Sequence, residues 1–354
     1  MNYLVVQQWP NTKGNHAGMS HMCDLLVQLY PNEYTKIEMD QTLTIPNRHH
    51  TITRFLFRLF DQWHCKHKYL KEYIHRCQEM FQRIQNNDKI FLLEYHLIHA
   101  DQFTLAKFLR KKFPQVQIIA LSHLTPTLLR KMGFSKRLIK TWEKPIDIQL
   151  TLGSSLSHFF LTCGIPTRKI STGFHYVDYQ YYYTFEPRKN CSERLKVISI
   201  GNLQRNFELL SMVVEKTPFI DWIICSGIAD LSSYFANKKN VSLKGYINED
   251  SLKQLMTEAD ISINILDDTV GSNVITTSMA MGLAIIVSDV GSIHDYCHTG
   301  NAIFCNNSAD DFVDAIKKLS RDRLLLKRMQ EESLIQSSKF HIETVHHWFQ
   351  SVSL

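Results

Sequence analysis

The sequence lacks the features that mark membrane-spanning, fibrous and exported proteins. No apolar run approaches the roughly 18 residues that a membrane helix needs, and LAIIV at 283–287 is typical of the longest. With 13 glycines and 9 prolines among 354 residues, a collagen-like or low-complexity chain is excluded. The first residues, MNYLVVQQWP, contain no basic segment followed by a long apolar one, so we expect no signal peptide and a cytoplasmic protein.

Cysteine and histidine patterns give no sign of a metal site. The eight cysteines are scattered without a Cys-x-x-Cys pair, which argues against a zinc ribbon and a thioredoxin-type centre. His64 and His67 in HCKH share one face of a predicted helix, but no further ligand has a convincing spacing. No Asp-x-Asp motif follows a predicted strand. We therefore expect no metal ion, and we expect the cysteines to be small core residues or unreactive thiols.

Positive charge is concentrated in the first half of the chain. Residues 48–144 contain 19 Lys and Arg against 7 Asp and Glu, a net charge of +12, and since the whole chain carries +6 the remainder sums to −6. Aromatic residues are interspersed with the basic ones between positions 54 and 69. This composition fits docking on an anionic membrane, and it also fits a set of solvated helix faces. No nucleic-acid-binding motif accompanies the charge, so nucleic acid is not an expected partner.

Apolar runs alternate with helical patterns along the chain, which predicts an α/β fold with parallel sheets. Strands are predicted at 3–8, 89–94, 117–121 and 148–152, and in the second half at 195–201, 221–227, 241–247, 261–266 and 283–289. Helices are predicted at 51–85, 206–215, 250–258, 272–281 and 310–328. A polar, tyrosine-rich stretch at 173–194 separates the two series. The result is two Rossmann-like halves, and ligands of such sheets lie at the carboxyl ends of the strands.

The segment 267–296, DDTVGSNVITTSMAMGLAIIVSDVGSIHDY, resembles the donor site of the retaining GT-B glycosyltransferases of family 4. That site commonly reads E-G-x-S-N-x-x-x-E-A-M-A-x-G-x-P-V-I-x-T-x-V-G-G. The resemblance extends to LKVISIGNLQRNFELL at 195–210, to GFHYVD at 173–178 and to 244–260, and it covers about residues 145–320. The matching positions of the donor motif are Gly271, Ser272, Asn273, Met279, Ala280, Gly282, Ile286, Asp289, Val290 and Gly291.

The resemblance implies a GT-B fold, in which two facing Rossmann-like domains have a ligand cleft between them. The expected organisation is an N-terminal acceptor domain at 1–172, a linker at 173–195, a C-terminal donor domain at 196–335 and a helix at 336–354 that crosses back to the first domain. The expected activity is that of a hexosyltransferase that uses a nucleotide-diphosphate sugar, UDP-sugar first and GDP-sugar second, with retention and without metal.

The resemblance also suggests where the protein works. The expected acceptor is a hydroxyl of a glycan or lipid-linked oligosaccharide, and the expected pathway is bacterial surface polysaccharide assembly, of lipopolysaccharide or capsule. A lipid-linked acceptor suits the basic first half, since cations attract anionic lipids. The expected location is therefore cytoplasmic and peripheral, on the inner face of the plasma membrane.

Physical chemistry supports the donor-binding residues that the resemblance implies. The Gly-Ser-Asn sequence at 271–273 opens a helix after a strand, where backbone N–H groups and the positive helix end suit a diphosphate. Arg205, followed by Asn206, comes just after another strand and adds a charge-assisted hydrogen bond to the same diphosphate. A nucleoside base is expected where two further strands end, at Ser226, Gly227 and Tyr246.

The sequence departs from the family at its two glutamates. These glutamates, eight residues apart, fall on Thr269 and Thr277, which carry no charge. We expect Thr277 to meet the ribose, and Thr269 with Asp268 to orient the donor sugar; a simple turn aspartate is the alternative for Asp268. The departure keeps two other functions open: a catalytically silent GT-B protein that binds a glycan or a partner, and a GT-B sugar-nucleotide epimerase, although an epimerase needs carboxylates in its cleft.

Glycines and histidines mark the first half. Gly14, His16 and Gly18 in the loop NTKGNHAG match the family's acceptor-side loop, where glycine permits close approach to a ligand; a solvent-exposed loop is the alternative for His16. His123 in LSHLTP follows a strand, where the family often has a T-x-H motif facing the donor sugar, so we predict a catalytic role. His99 in LLEYHLIHADQF is predicted to line the cleft, with a packing role as the alternative.

Overall fold

The computed structural model describes residues 1–9, 14–40, 70–97, 101–183 and 194–352, which form two compact units. The first consists of the described parts of Met1–Leu152 and Phe349–Leu354 together with Leu156–Gly173, and the second of Gly153–Ser155 and the described parts of Phe174–Trp348. His99, His64, His67 and the aromatic and basic stretch at 54–69 lie outside the described residues.

Six parallel strands form the sheet of the first unit. They are β1 (Asn2–Gln8), β2 (Tyr34–Asp40), β3 (Lys89–Leu92), β4 (Gln117–Ser122), β5 (Ile148–Thr151) and β6 (Ile170–Thr172). Their order across the sheet is β2-β1-β3-β4-β5-β6. Val5 of β1 lies opposite Ile37 on one side and Leu92 on the other. The inner strands are buried on both faces, which explains why they read as continuous apolar runs.

Helices of the first unit follow its strands. They are α1 (Met19–Leu29), α2 (Gln78–Arg83), α3 (Gln102–Lys112), α4 (Pro126–Lys131), α5 (Lys136–Trp142) and α6 (Ser154–Thr162), with a 3₁₀ turn at Thr167–Lys169. The two short helices α4 and α5 have clear starting signals. Thr125 Oγ1 accepts a hydrogen bond from the Leu128 N–H at 3.2 Å, and Ser135 Oγ accepts from the Leu138 N–H at 3.2 Å.

The second unit contains another six-stranded parallel sheet. Its strands are β7 (Lys196–Ile200), β8 (Asp221–Cys225), β9 (Val241–Lys244), β10 (Ile261–Asn264), β11 (Ala284–Ser288) and β12 (Ala302–Cys305). The order β12-β11-β10-β7-β8-β9 reverses direction between β7 and β10. Connections on the two sides of this point leave toward opposite faces of the sheet, which opens a crevice at the carboxyl ends of β7 and β10.

The remaining helices belong to the second unit, except that the end of α14 belongs to the first. They are α7 (Tyr179–Tyr182), α8 (Phe207–Lys216), α9 (Ser232–Phe235), α10 (Glu249–Glu258), α11 (Asn273–Ala280), α12 (Ala309–Arg321), α13 (Arg323–Ser337) and α14 (Ile342–Ser351), with 3₁₀ turns at Ile293–Asp295 and Ser338–Phe340. Leu209 and Val213 of α8 pack in one hydrophobic cluster, and Ile275 and Met279 of α11 pack in another.

The last described residues of the chain belong to the first unit. The Phe349 ring stacks on Phe91 with 4.5 Å between ring centres, and Lys89 Nζ donates a hydrogen bond to the Val352 carbonyl oxygen at 2.6 Å. The described cysteines are all buried and free. Among the described residues, no helix is long and apolar enough to cross a membrane.

The predicted α/β fold with two parallel sheets is confirmed, and all nine predicted strands are present. The prediction missed β2, β6 and β12. Each of these is an edge strand, so one side has no neighbour and its sequence is less continuously apolar than that of an inner strand.

Two predicted helices are divided in the structure. The helix predicted at 310–328 is wrong as a single element, because Asp322 ends α12 and its side chain accepts a hydrogen bond from the Leu325 N–H at 2.8 Å, starting α13. Within the helix predicted at 51–85, only residues from 70 onward are described, and Cys77 interrupts the helical conformation there.

His96 lies in an aromatic cluster inside the first unit. Its ring stacks on Trp142 at 5.4 Å and on Phe160 at 5.3 Å between ring centres, and the edge of Phe134 faces it. The side chain is 1% exposed, and neither ring nitrogen has a hydrogen-bond partner among the described residues. Burial therefore lowers the pKa of His96 to about 3, so the folded protein holds a neutral imidazole.

We expect His96→Phe to change how stability depends on pH. The unfolded histidine takes up a proton below about pH 6.5 and the folded one does not, so this residue makes the wild type lose stability as the pH falls. Phenylalanine removes that loss. Relative to the wild type, the variant's free energy of unfolding should rise by about 1.4 kcal/mol between about pH 7.5 and pH 5.5, measured by urea unfolding. If the difference in free energy of unfolding between variant and wild type were the same at both pH values, the folded protein would not hold a neutral His96.

Candidate functional site

Two loops meet at the crevice of the second sheet. One follows β7 and contains Arg205; the other follows β10 and contains Leu266, and these two residues form an isolated antiparallel bridge. The Asn206 N–H donates to the Ile265 carbonyl at 3.1 Å, and the Asp267 N–H donates to the Gln204 carbonyl at 3.0 Å. Main-chain bonds at both ends of the bridge therefore hold the two loops in one fixed arrangement.

Arg205 is a cation that has no carboxylate partner in the described part of the chain. Its Nη1 donates to Asn264 Oδ1 at 2.8 Å, and among the described residues it forms no ion pair. Burial lowers the pKa of Arg205 to about 10, so the guanidinium remains charged at neutral pH in a desolvated position. A desolvated cation that donates to a neutral amide is stabilised further by any anion that reaches it.

A buried polar chain orients this guanidinium. Ser278 Oγ on α11 donates to Ser262 Oγ on β10 at 2.9 Å, and Asn264 Nδ2 donates to the same oxygen at 3.1 Å. These three side chains are fully buried. Asn264 Oδ1 is thereby turned toward Arg205. The position of the guanidinium therefore depends on this series of hydrogen-bonded side chains. Sequence reasoning missed Asn264, although two polar residues at alternate positions of the strand ISINIL were the available signal.

Asn206 supports the loop through both ends of its side chain. Its Oδ1 accepts from the Leu209 N–H at 3.0 Å and starts α8, while its Nδ2 donates to Asp267 Oδ1 at 3.3 Å. Asn206, predicted to bind the donor, thus has both side-chain groups already hydrogen-bonded within the protein.

The start of α11 lies beside the Arg205 loop. A side chain at Gly201 would come within 3.9 Å of Val274 Cγ2, in the first turn of α11. Ser272 Oγ accepts from the Val274 N–H at 3.1 Å and starts the helix, so the following backbone N–H groups point out of its first turn. The half-buried residues Ser272 and Asn273 therefore place a positive helix end beside the loop that contains Arg205.

Gly271 is required by its surroundings. Its φ of +100° lies in the region that favours glycine, and a Cβ there would lie 2.1 Å from Tyr296 Cζ. Tyr296 is fully buried, and its hydroxyl accepts from the His175 N–H at 2.8 Å, so the ring cannot move aside easily.

The threonines at the positions of the family's glutamates bond to local backbone. Thr269 Oγ1 accepts from the Gly271 N–H at 3.0 Å and Thr277 Oγ1 donates to the Asn273 carbonyl at 2.7 Å; both residues are buried. Thr277 has therefore already used its hydroxyl proton, while Thr269 retains one. Asp268 is half-buried beside Thr269, at the loop between β10 and α11.

Three exposed apolar side chains follow adjacent strands of the second sheet. Leu203 follows β7 and is 68% exposed, Ile228 follows β8 and is 74% exposed, and Tyr246 follows β9 and is 64% exposed. Ser226 Oγ, in contrast, is buried and donates to the Ala229 carbonyl at 2.7 Å, closing the turn that contains Gly227. Sequence reasoning found Tyr246 and missed Leu203 and Ile228, whose positions directly after strand ends were the signal.

The carboxyl edge of the first sheet holds a second polar group. His123 follows β4, and its Nε2 lies 3.5 Å from Glu94 Oε2 and within hydrogen-bonding reach of the Leu93 carbonyl. The Glu94 carboxylate follows β3 and also bonds to the Trp9 side chain, which follows β1. Burial raises the pKa of Glu94, and His123 and Trp9 oppose that shift. Sequence reasoning found His123 and missed Glu94, although an acid directly after a strand in LLEYH was visible.

The glycine-containing loop before α1 is described from Gly14 onward. Gly18 lies at the amino end of α1, and its N–H donates to the Asn15 carbonyl at 3.1 Å. The His16 ring contacts His21 of the same helix with 4.5 Å between ring centres. His16 is half-buried, so it is not a fully solvent-exposed loop residue.

We expect Gly271→Ala to destabilise the second unit more than Gly227→Ala. Both glycines have positive φ, but a Cβ at Gly227 meets nothing closer than Asn202 Nδ2 at 3.9 Å. The control therefore costs about 1–2 kcal/mol of backbone strain, whereas Gly271→Ala adds about 1–3 kcal/mol of overpacking against Tyr296. Urea unfolding of both variants measures the difference. Equal losses would show that Tyr296 moves without cost.

Comparison with known proteins agrees with this geometry. Residues 194–322 match the family model described as Glycosyl transferases group 1. No curated protein sequence matches the chain. The matched residues include Arg205, the crevice between β7 and β10, and the start of α11.

Solved structures similar to the whole chain come from several proteins. Anabaena HepE in complex with UDP covers 99% of this chain over 98% of its own length, with 13% identity and a TM-score of 0.69. Sucrose-phosphate synthase from Thermosynechococcus elongatus covers 99% of this chain over 98% of its own length, with 10% identity and a TM-score of 0.72. The lipopolysaccharide outer core galactosyltransferase WaaB covers 99% of this chain over 99% of its own length, with 12% identity and a TM-score of 0.68.

The predicted fold class is confirmed by these likenesses together with the two six-stranded parallel sheets. The chain has the fold of GT-B glycosyltransferases, and its residues 194–322 match group 1 of those enzymes.

Proposed function

We propose that this protein is a glycosyltransferase that moves a sugar from a nucleotide-diphosphate donor to a hydroxyl of a glycan or lipid-linked oligosaccharide. The observation that carries the proposal is Arg205, a desolvated cation with no carboxylate partner among the described residues, in a loop beside the start of α11. It lies in the stretch that matches the group 1 glycosyltransferase model, which supports a diphosphate as its anion.

The diphosphate is the part of the donor that this site holds best. Arg205 supplies a charge-assisted hydrogen bond, and the first turn of α11, with Ser272 and Asn273, supplies backbone N–H groups. In the reaction the bond between the anomeric carbon and the diphosphate oxygen breaks, and negative charge grows on that oxygen. Donors fixed before the reaction stabilise this charge without a metal ion.

The nucleoside fits the apolar side chains that follow β7, β8 and β9. Leu203, Ile228 and Tyr246 offer exposed surface to a base and ribose, and the turn at Ser226 and Gly227 offers backbone groups. We propose a UDP-sugar as the first donor and a GDP-sugar as the second. HepE, a protein of similar fold, has been solved in complex with UDP-glucose, which supports the UDP-sugar as donor.

The sugar end of the donor is assigned to Asp268, Thr269 and His123. Thr269 has a hydroxyl proton to donate, and Asp268 supplies a carboxylate next to it. Thr277 can offer only a lone pair to the ribose, because its proton is bonded to the Asn273 carbonyl. Transfer of a hexose with retention of configuration belongs to the same proposal.

The acceptor side is assigned to the first unit. His123, with the loop containing Gly14, His16 and Gly18, receives the acceptor, whose hydroxyl oxygen forms the new bond and loses its proton. His99 is included in this proposal although it lies outside the described residues. The proposal includes domain limits at 1–172, 173–195, 196–335 and 336–354. It also includes a role in lipopolysaccharide or capsule assembly. The proposed location is peripheral, on the inner face of the plasma membrane.

Binding of UDP should depend on Arg205. Arg205→Ala removes a charge-assisted hydrogen bond and should weaken UDP affinity by about 10- to 100-fold, measured by calorimetry with and without EDTA. Lys216→Ala is the matched control, since it removes the same charge from the other end of α8, and it should bind UDP normally. Equal affinity of Arg205→Ala and the control for UDP would overturn the proposed site. UDP-sugar binding without release of UDP in the presence of acceptors would favour the catalytically silent alternative.

Glu94 should affect turnover without affecting donor affinity. Glu94→Gln removes the charge beside His123 Nε2 and should lower kcat by about 10- to 100-fold, while UDP affinity stays unchanged because Arg205 belongs to the second unit. Glu143→Gln is the control for changing a buried carboxyl group, since it makes the same substitution at another buried position of the first unit and should leave kcat unchanged. If both variants lose kcat equally, the loss reflects general destabilisation, and Glu94 has no role in positioning His123.

A further inference from the structure

Helices α4 and α5 present a basic patch, defined as Arg130, Lys131, Lys136, Arg137 and Lys140. All five side chains are exposed, and residues 125–142 contain no Asp or Glu. None of the five forms an ion pair with a described residue, in contrast to the paired lysines Lys36, Lys216 and Lys238. Ion pairs within the described parts of the chain therefore leave the positive charge of the basic patch in place.

Three members of the basic patch converge at the end of α6. The guanidinium of Arg130 lies 5.0 Å from the ring centre of Phe159. Lys140 Nζ lies 2.9 Å from the point that a Cβ on Gly164 would occupy. The positive field of Lys136, Arg130 and Lys140 opposes the rise in the pKa of Cys163 that burial causes, so all three lie near that residue.

Acidic groups near the basic patch do not offset its charge. Glu143 follows α5 directly, but it is 3% exposed, and burial raises its pKa while the nearby Lys169 opposes that rise. Burial therefore disfavours the charged form of this carboxyl group. Asp147 pairs with Arg110 and accepts from the Ile118 N–H at 2.7 Å. The cations are left to attract an external anion.

Aliphatic side chains are exposed among these cations. Met132 is 38% exposed and Leu138 is 37% exposed on α4–α5, and Leu161 on α6 is 39% exposed. Basic side chains interspersed with aliphatic ones suit an anionic lipid surface, where cations meet headgroups and aliphatic groups enter the interface. A nucleic acid would take up the charge but would leave the aliphatic groups without apolar contacts.

We infer that the basic patch docks this protein on an anionic membrane. The inference deepens the peripheral location proposed above by assigning the surface responsible, and it rests on that part of the proposed function. It places the first unit against the lipid headgroups, where a lipid-linked acceptor would be found.

Vesicle binding of the full chain tests the inference. The protein is mixed with phosphatidylcholine vesicles and with vesicles that also contain about 30% phosphatidylglycerol, at about 0.1 M salt, and binding is measured by co-sedimentation. We expect binding only to the anionic vesicles, and we expect it to weaken as salt increases. The double variant Lys136→Ala/Arg137→Ala should bind about 30-fold more weakly, since each basic residue contributes roughly a factor of five.

A matched control separates a specific surface from total charge. Lys327→Ala/Arg328→Ala removes two exposed cations from α13 in the second unit and should bind anionic vesicles like the wild type. Leu138→Ser should weaken binding with little change in its salt dependence, because it removes apolar contact only. Thermal unfolding of each variant shows whether the fold is intact.

Three results would overturn the inference. These are equal loss in the two double variants, equal binding to neutral and anionic vesicles, and tighter binding to a random-sequence oligonucleotide than to anionic vesicles at the same salt. UDP affinity is measured in parallel. Because the double variants leave Arg205 untouched, normal UDP binding with absent vesicle binding rejects the membrane surface alone, and the reverse result rejects the donor site alone.

Discussion

The short main-chain bridge between Arg205 and Leu266 is the contact on which the donor-side geometry depends. It joins loops after β7 and β10, two strands that are neighbours in the sheet and distant in the sequence. The helices that follow these loops, α8 and α11, pack in separate hydrophobic clusters. The bridge keeps the guanidinium of Arg205 and the first turn of α11 at the same crevice, which is where doubly wound sheets bind their ligands.

Desolvation acts differently on the ionisable groups of this protein. His96 is enclosed by aromatic rings, so it is neutral and serves packing. Glu143 is also buried and protonates more easily than an exposed carboxyl group. Arg205 cannot lose its proton at neutral pH, and it lies in a half-open loop, so it stays charged where an anion can approach. A buried ionisable group is therefore not by itself a binding site. Arg205 differs from His96 because a ligand can reach it.

Threonine at the two positions where the resembled glycosyltransferases have glutamate fits the local packing. Thr277 is buried on α11 and bonds to its own helix, a position where an ionised carboxylate would need partners that the described structure does not offer. Thr269 bonds to the backbone of Gly271, which itself is pressed against Tyr296. The loop is thus shaped by hydrogen bonds and close packing, and Asp268 supplies the nearest charge.

The sequence by itself determined the inner strands, the two-sheet α/β class and the strand-end positions of Arg205 and His123. It could do so because strands buried on both faces must be apolar throughout, and polar residues directly after them stand out. Only the tertiary structure decided that Asn264 orients Arg205, that Glu94 lies beside His123 and that Leu203 and Ile228 are exposed together. These relations join residues far apart in the chain, and edge strands such as β12 have too weak an apolar pattern to be recognised without their neighbours.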